Sequence, residues 1–169
     1  KSHLNILNNM INIGNTYYSQ NKFDKAIEYY ERSLNIVKSV FGEKHKYTIQ
    51  LYGNIAAVYS KKGDDEKAFE YSNISLSIDT ELYGGETNEA AIALNNIASL
   101  YHKKHDYEKA LENMYKALKI KKNIFGTKHA LIAEYYNSIG NVFKDKNEYT
   151  EALKNYQKAI YSNSIAHID

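Results

Sequence analysis

The side chains best suited to chemistry lie together in His102-Lys103-Lys104-His105-Asp106. Two imidazoles three residues apart on a helix can meet one ion, and a nearby carboxylate could add to the set. His105, however, falls at a turn between two predicted helices, where its backbone role already accounts for it. No metal ligand is therefore assigned. The chain has no cysteine, so a thiolate metal site and a disulfide framework are both excluded. Carboxylates are scattered on predicted solvent faces. In Asp64-Asp65-Glu66 they suit a helix N-terminus through the helix dipole. Acid–base catalysis needs two groups in a pocket, and no pattern here marks one. No nucleotide-binding loop, nucleophile elbow or metalloprotease motif occurs. The expectation is a non-enzyme with no catalytic residue and no cofactor. Asn73-Ile74-Ser75 fits a glycosylation acceptor, but it lies in the middle of a predicted helix and gets no role.

Composition supports a folded, non-membrane protein. Of 169 residues, 43% are apolar and 25% charged, a globular balance. A net charge of +2 is too small to argue for nucleic acid or an anionic membrane. No apolar run approaches the roughly 20 residues a membrane span needs. Lys1 to Asn12 alternates polar and apolar residues, unlike a signal peptide. A cytoplasmic, intracellular setting is expected. There are 17 tyrosines and no proline, so helix starts must be set by other caps, sought among Ser, Thr, Asn and Asp.

The elements that would position any site follow from a fixed step of 42 residues. Tyr17, Tyr59, Tyr101 and Phe143 form one series, and Ala26, Ala68, Ala110 and Ala152 another. Gly14, Ala56, Ala98 and Gly140 form a third, and Leu34, Leu76, Leu118 and Ile160 a fourth. Such self-similarity marks a repeat solenoid. The apolar spacing predicts helix pairs over 4–20 and 24–40, 46–62 and 66–82, 88–104 and 108–124, and 130–146 and 150–162. Within units the turn residue is Asn21, Gly63, His105 or Asn147, all suited to a left-handed backbone. Between units Phe41-Gly42, Tyr83-Gly84 and Phe125-Gly126 recur, with glycine as the left-handed residue past the helix end. Short loops make neighbouring helices antiparallel. One all-α domain over 1–169 is expected, with units about 4–42, 46–84, 88–126 and 130–162. His3, His45 and His129 share a phase broken only by Thr87, so the chain starts at a junction between units. That favours a piece excised from a longer protein.

Small residues at Gly14 and Ala26 with aromatics at Tyr17 and Tyr30 resemble the tetratricopeptide repeat. Asn95-Asn96-Ile97-Ala98 and Phe125-Gly126-Thr127-Lys128-His129 are similar to the 42-residue repeats of kinesin light chain. The resemblance implies a right-handed α-solenoid of four helix–turn–helix units. It also implies a partner-binding scaffold, with a cargo-adaptor role if the likeness extends to function. In such arrays the first helices line a concave groove. The chaperone-type carboxylate clamp of some relatives is excluded. Asn15 and Asn54 match its asparagines, but Ile11, Ile92 and Asn96 stand where it needs cations.

The groove candidates are accordingly Asn12, Asn15, Gly53, Asn54, Ala57 and Lys61 in the first half of the chain. In the second half they are Asn95, Asn96, Ser99, His102 and Lys103, then Asn137, Asn141 and Lys144. An asparagine ladder could hold a peptide backbone, since each amide both donates and accepts. The same amides could instead cap or bridge neighbouring helices. Gly53 costs about 1 kcal/mol relative to alanine in a helix. With Ala57 it could lower the groove floor for one bulky side chain, or it could admit an adjacent helix. Lysines at the helix ends could form a basic rim or simply answer the helix dipole. The expected partner is a protein or peptide, acidic with one bulky apolar anchor. Two other roles stay open: a structural spacer, or the regulatory arm of a larger enzyme.

Overall fold

The computed structural model describes residues 2–127 and 129–165. Lys128 of the Phe-Gly-x-x-His motif and the final residues lie outside that range. All its regular structure is helical: α1 (Ser2–Ser19), α2 (Phe23–Phe41), α3 (Lys46–Lys62), α4 (Asp65–Tyr83), α5 (Asn88–Lys103), α6 (Tyr107–Phe125), α7 (Ala130–Asp145) and α8 (Tyr149–Ile165). These bounds match the predicted helix pairs to within a few residues. The chain forms two compact units, Lys1–Gly85 and Glu86–Asp169. In the first, α1 packs on α2, α2 on α3, and α3 on α4. In the second, α5 packs on α6, α6 on α7, and α7 on α8.

The same residue phase builds every hairpin. Ala26, Ala68, Ala110 and Ala152 are all buried where the second helix of a hairpin meets the first. Asn21, His105 and Asn147 have φ of 57°, 60° and 64°, and Gly63 has φ of 81°. That left-handed residue turns the chain back on itself. The amide of the very next residue then closes the turn: Lys22, Asp64, Asp106 and Glu148 donate to the carbonyls of Tyr17, Tyr59, Tyr101 and Phe143 at 2.8–3.0 Å. This is the bonding of a glycine-type helix stop, and it explains why the aromatic series and the turn series share a step.

Between hairpins the structure corrects two details. Gly84 is left-handed, with φ 76° and ψ 7°. Gly42 and Gly126 instead combine positive φ with ψ of 176° and 177°, a region open essentially to glycine alone. The extended ψ sends the chain straight into the next cap, whereas Gly84 is followed by a second positive-φ glycine, Gly85. The caps themselves are partly histidines. His45 Nδ1 accepts from the Tyr47 amide at 3.3 Å, and His129 Nδ1 from the Leu131 amide at 3.2 Å. Thr87 takes the same place before α5, accepting from the Ala90 amide at 3.1 Å. Phe41 stacks on His45 with centroids 4.6 Å apart, and Phe125 lies 5.0 Å from His129. The Phe-Gly-x-x-His pattern is thus a ring holding the imidazole that caps the next helix.

Candidate functional site

The two units present their candidate residues differently. In the first, Asn12, Asn15 and Lys61 are exposed, and Gly53, Asn54 and Ala57 are half-buried. A β-carbon built on Gly53 would meet only Ser75 Oγ, at 3.8 Å. That is ordinary contact, so no packed neighbour demands glycine there. Asn15 has an internal partner, because its Oδ1 accepts from the Tyr30 hydroxyl at 2.7 Å.

In the second unit, Asn95, Asn96, Ser99 and His102 lie half-buried along α5, and Asn137, Asn141 and Lys144 are exposed on α7. Asn141 repeats the arrangement of Asn15, accepting from the Tyr156 hydroxyl at 2.8 Å. Ser99 Oγ donates to the Asn95 carbonyl at 3.0 Å. His102 Nε2 lies 2.9 Å from an Asp145 carboxylate oxygen, tying α5 to α7. His105 Nδ1 faces the Tyr107 hydroxyl at 2.9 Å, and Asp106 caps α6 through the Lys109 amide at 3.2 Å. The three groups of the possible metal set therefore serve separate local contacts. Among the described residues no three histidines or acids are placed to hold an ion, and no helix is long and apolar enough to cross a membrane.

Two lysines of the expected rim serve packing between hairpins. Lys62 pairs with Asp24, and Lys146 with Glu108 at 2.6 Å. Each links a first helix to the second helix of the hairpin before it. Those carboxylates hold both ammonium groups above the usual lysine range, Lys146 at about 12. Lys61, Lys103 and Lys144 remain at the surface.

The second unit also contains a cleft of about 300 Å³ between α5 and α7. Ile92 and Leu131 form apolar walls, with Asn95 and Ser138 as polar groups beside them. Lys121 of α6, Glu134 and Tyr135 complete the lining. Ile92 is exposed, although it stands on a helix otherwise well packed. Tyr135 is buried. Burial, with the Glu134 carboxylate beside it, raises its phenol to about 12, so it is a neutral hydroxyl at physiological pH. Lys121 is buried too, with its ammonium donating to Asn88 Oδ1 at 2.5 Å and lying over the Phe125 ring. Burial lowers its pKa, opposed by Glu89 and Glu134. Of the residues that the sequence pattern sets on the outer faces of the first helices, Ile92, Asn95 and Ser138 line this cleft, Asn95 alone among the groove candidates named above. A further signal was Lys121, which holds the position that Val37 fills as buried core in the first unit.

The tetratricopeptide repeat family model matches residues 2–81, 47–122 and 89–160. No curated protein matches the chain in sequence. Among solved structures, BtubC (BKLC) from P. vanneervenii superposes with a TM-score of 0.83 at 22% identity, over 94% of this chain and 63% of that one. A Podosopora anserina protein with kinesin light chain nearly identical TPR-like repeats gives 0.79 at 14% identity, over 94% and 75%. The apo form of RapI gives 0.81 at 21% identity, over 94% and 56%. At these identities the likeness is one of fold. The chain spans less than two thirds of BtubC and of RapI.

Proposed function

Because the chain belongs to the tetratricopeptide repeat family, a family of protein-interaction scaffolds, we propose that it binds a short linear peptide along its first helices. The cleft between α5 and α7 receives the peptide's bulky apolar anchor. The observation that carries this reading is the exposed Ile92 beside Leu131, in a cleft of about 300 Å³ that also offers Asn95 and Ser138. An apolar hollow with a few polar groups is the usual form of a binding pocket. The anchor supplies most of the affinity by leaving water. Asn95 and Ser138 hydrogen-bond the backbone beside it. Acidic residues flanking the anchor meet the surface cations Lys103 and Lys144, which steer association more than they add affinity. In the first unit the low floor at Gly53 and Ala57 offers a second place for a side chain. A cargo-adaptor role would use these same faces, and what supports it is fold likeness to kinesin-light-chain-type repeats.

The test is a peptide-array screen, with hits measured by titration calorimetry. Hits should share one large apolar residue flanked by acids. Ile92→Glu and Ser138→Trp, which charges and fills the cleft respectively, should each weaken binding at least tenfold with unchanged melting curves. Gly53→Leu reports separately on the first unit. If basic peptides are selected, or if both cleft variants bind as well as the parent, the cleft is not the site.

A further inference from the structure

The internal repeat supplies its own control for the cleft between α5 and α7. In the first unit Ile11, Val37 and Leu51 are buried apolar core, at 4%, 0% and 0% exposure. Two steps of 42 along the chain, the same positions hold Asn95, Lys121 and Tyr135. All three line the cleft. At its wall the exchange runs the other way: Asn8, exposed in the first unit, becomes Ile92, which lines the cleft with Leu131. The second unit thus replaces an apolar filling with hydrogen-bond donors and sets them between apolar walls. Little within the chain uses those donors. Lys121 is 5% exposed, and among the described residues its ammonium meets only Asn88 Oδ1 and the Phe125 ring. An ammonium has three donors, so others remain. Glu89 and Glu134 act on it through space without an ion-pair contact. The Tyr135 hydroxyl and the Asn95 side-chain amide make no hydrogen bond to another described residue.

A buried charge is costly unless it is paired. A purely apolar anchor seated over these donors would strip them of water and return no acceptor. A carboxylate accepts from several donors at once, and its attraction to an ammonium is strongest where water is scarce. We propose that the cleft is a carboxylate site, taking an ionised carboxylate attached to a compact apolar group. The carboxylate accepts from Lys121, Tyr135 and Asn95, and the apolar group lies between Ile92 and Leu131. Glu134, exposed and lining the same cleft, opposes the anion and limits how tightly it is held. Two sources offer this chemistry: the last residue of a peptide, and a free carboxylic acid. The inference rests on the peptide reading in that both use this cleft. It narrows the anchor from any bulky apolar residue to one that carries its own carboxylate.

The experiment titrates the isotope-labelled full chain with N-acetyl-leucine and with N-acetyl-leucinamide, following the backbone amides of α5 and α7 by NMR. The acid should bind about tenfold more tightly than the amide, as a charged hydrogen-bonded group does over a neutral one. Lys121→Met, with an unchanged fold, should remove that preference, and Glu134→Gln should increase it. A second arm uses peptides ending in leucine, with free and amidated C-termini. Tighter binding of the free-ended peptide than of N-acetyl-leucine identifies a peptide terminus as the ligand, and equal binding identifies a free acid. The proposal is overturned if acid and amide bind alike, if the preference survives in Lys121→Met, or if neither small probe shifts these amides. In those cases the peptide reading is still decided by Ile92→Glu against array-selected peptides, where lost binding keeps the cleft as an apolar anchor site. Conversely, acid binding that depends on Lys121, with no peptide selected, supports the carboxylate site and removes the peptide.

Discussion

Gly14 and Gly140 are set by the tyrosines that cross them. A β-carbon on either would come within 2.6 Å of the ring of Tyr30 or Tyr156, and each tyrosine hydroxyl donates to the asparagine next to that glycine. In the other two hairpins the small residue is Ala56 or Ala98, and Ser72 or Met114 replaces the tyrosine. The residue types change together, as packing requires. Gly14→Ala should therefore destabilise the protein by about 1–3 kcal/mol in urea denaturation, as overpacking does, although alanine is intrinsically the better helix former. Adding Tyr30→Met should recover most of the loss, and a Gly14→Ala protein as stable as the parent would sink the account. Lys121 makes the opposite case, a charge where the first unit buries Val37. Burial holds its folded-state pKa below the usual 10.5, so the unfolded chain binds the proton more tightly. The penalty is in full force at neutral pH and fades as pH rises from the folded-state pKa toward 10.5. Lys121→Met should stabilise by about 1–2 kcal/mol at pH 7, with the advantage shrinking as pH approaches 10. The comparison must stop there, because Tyr30, raised by burial to about 12, contributes stability that is lost between 10 and 12. An advantage that does not change with pH would mean the gain comes from packing alone.

Helices were readable because their determinants are local and repeated. The four within-unit turns follow from Asn21, Gly63, His105 and Asn147, residue types that tolerate positive φ, and all four take it. The buried alanines follow from a small residue at the same phase in each second helix. Partners across helices were not readable to the same degree. Asn15 and Asn141 lie on the expected helix faces, but position on a face does not reveal that a tyrosine fifteen residues on will occupy the amide oxygen. Histidine is not a favoured cap by propensity. His45 and His129 serve as caps because Phe41 and Phe125 hold their rings, a contact across a loop. The cleft depends on three helices at once, with Lys121 reaching it from α6 between residues of α5 and α7. A face-by-face reading of first helices alone reaches Ile92, Asn95 and Ser138 but passes over Lys121.

For the molecule as a whole, stability in a repeat array is close to a sum of hairpin terms and nearest-neighbour terms. Each compact unit here has its own buried alanines, its own hairpin stops and its own tie between successive hairpins, Asp24 to Lys62 in one and Glu108 to Lys146 in the other. A local defect should therefore be felt locally. Ala68 is buried where α4 approaches α3, and Ala68→Leu adds three carbons at that contact, an overpacking cost of about 1–3 kcal/mol. Native-state hydrogen exchange should show where that cost falls. The amides of α3 and α4 should lose protection, those of α1 and α2 should lose less, and those of α7 and α8 should keep theirs, because opening free energies differ between cooperative segments. Equal loss in all eight helices would mean the chain opens as one cooperative body, and the nearest-neighbour description would have to be given up for it.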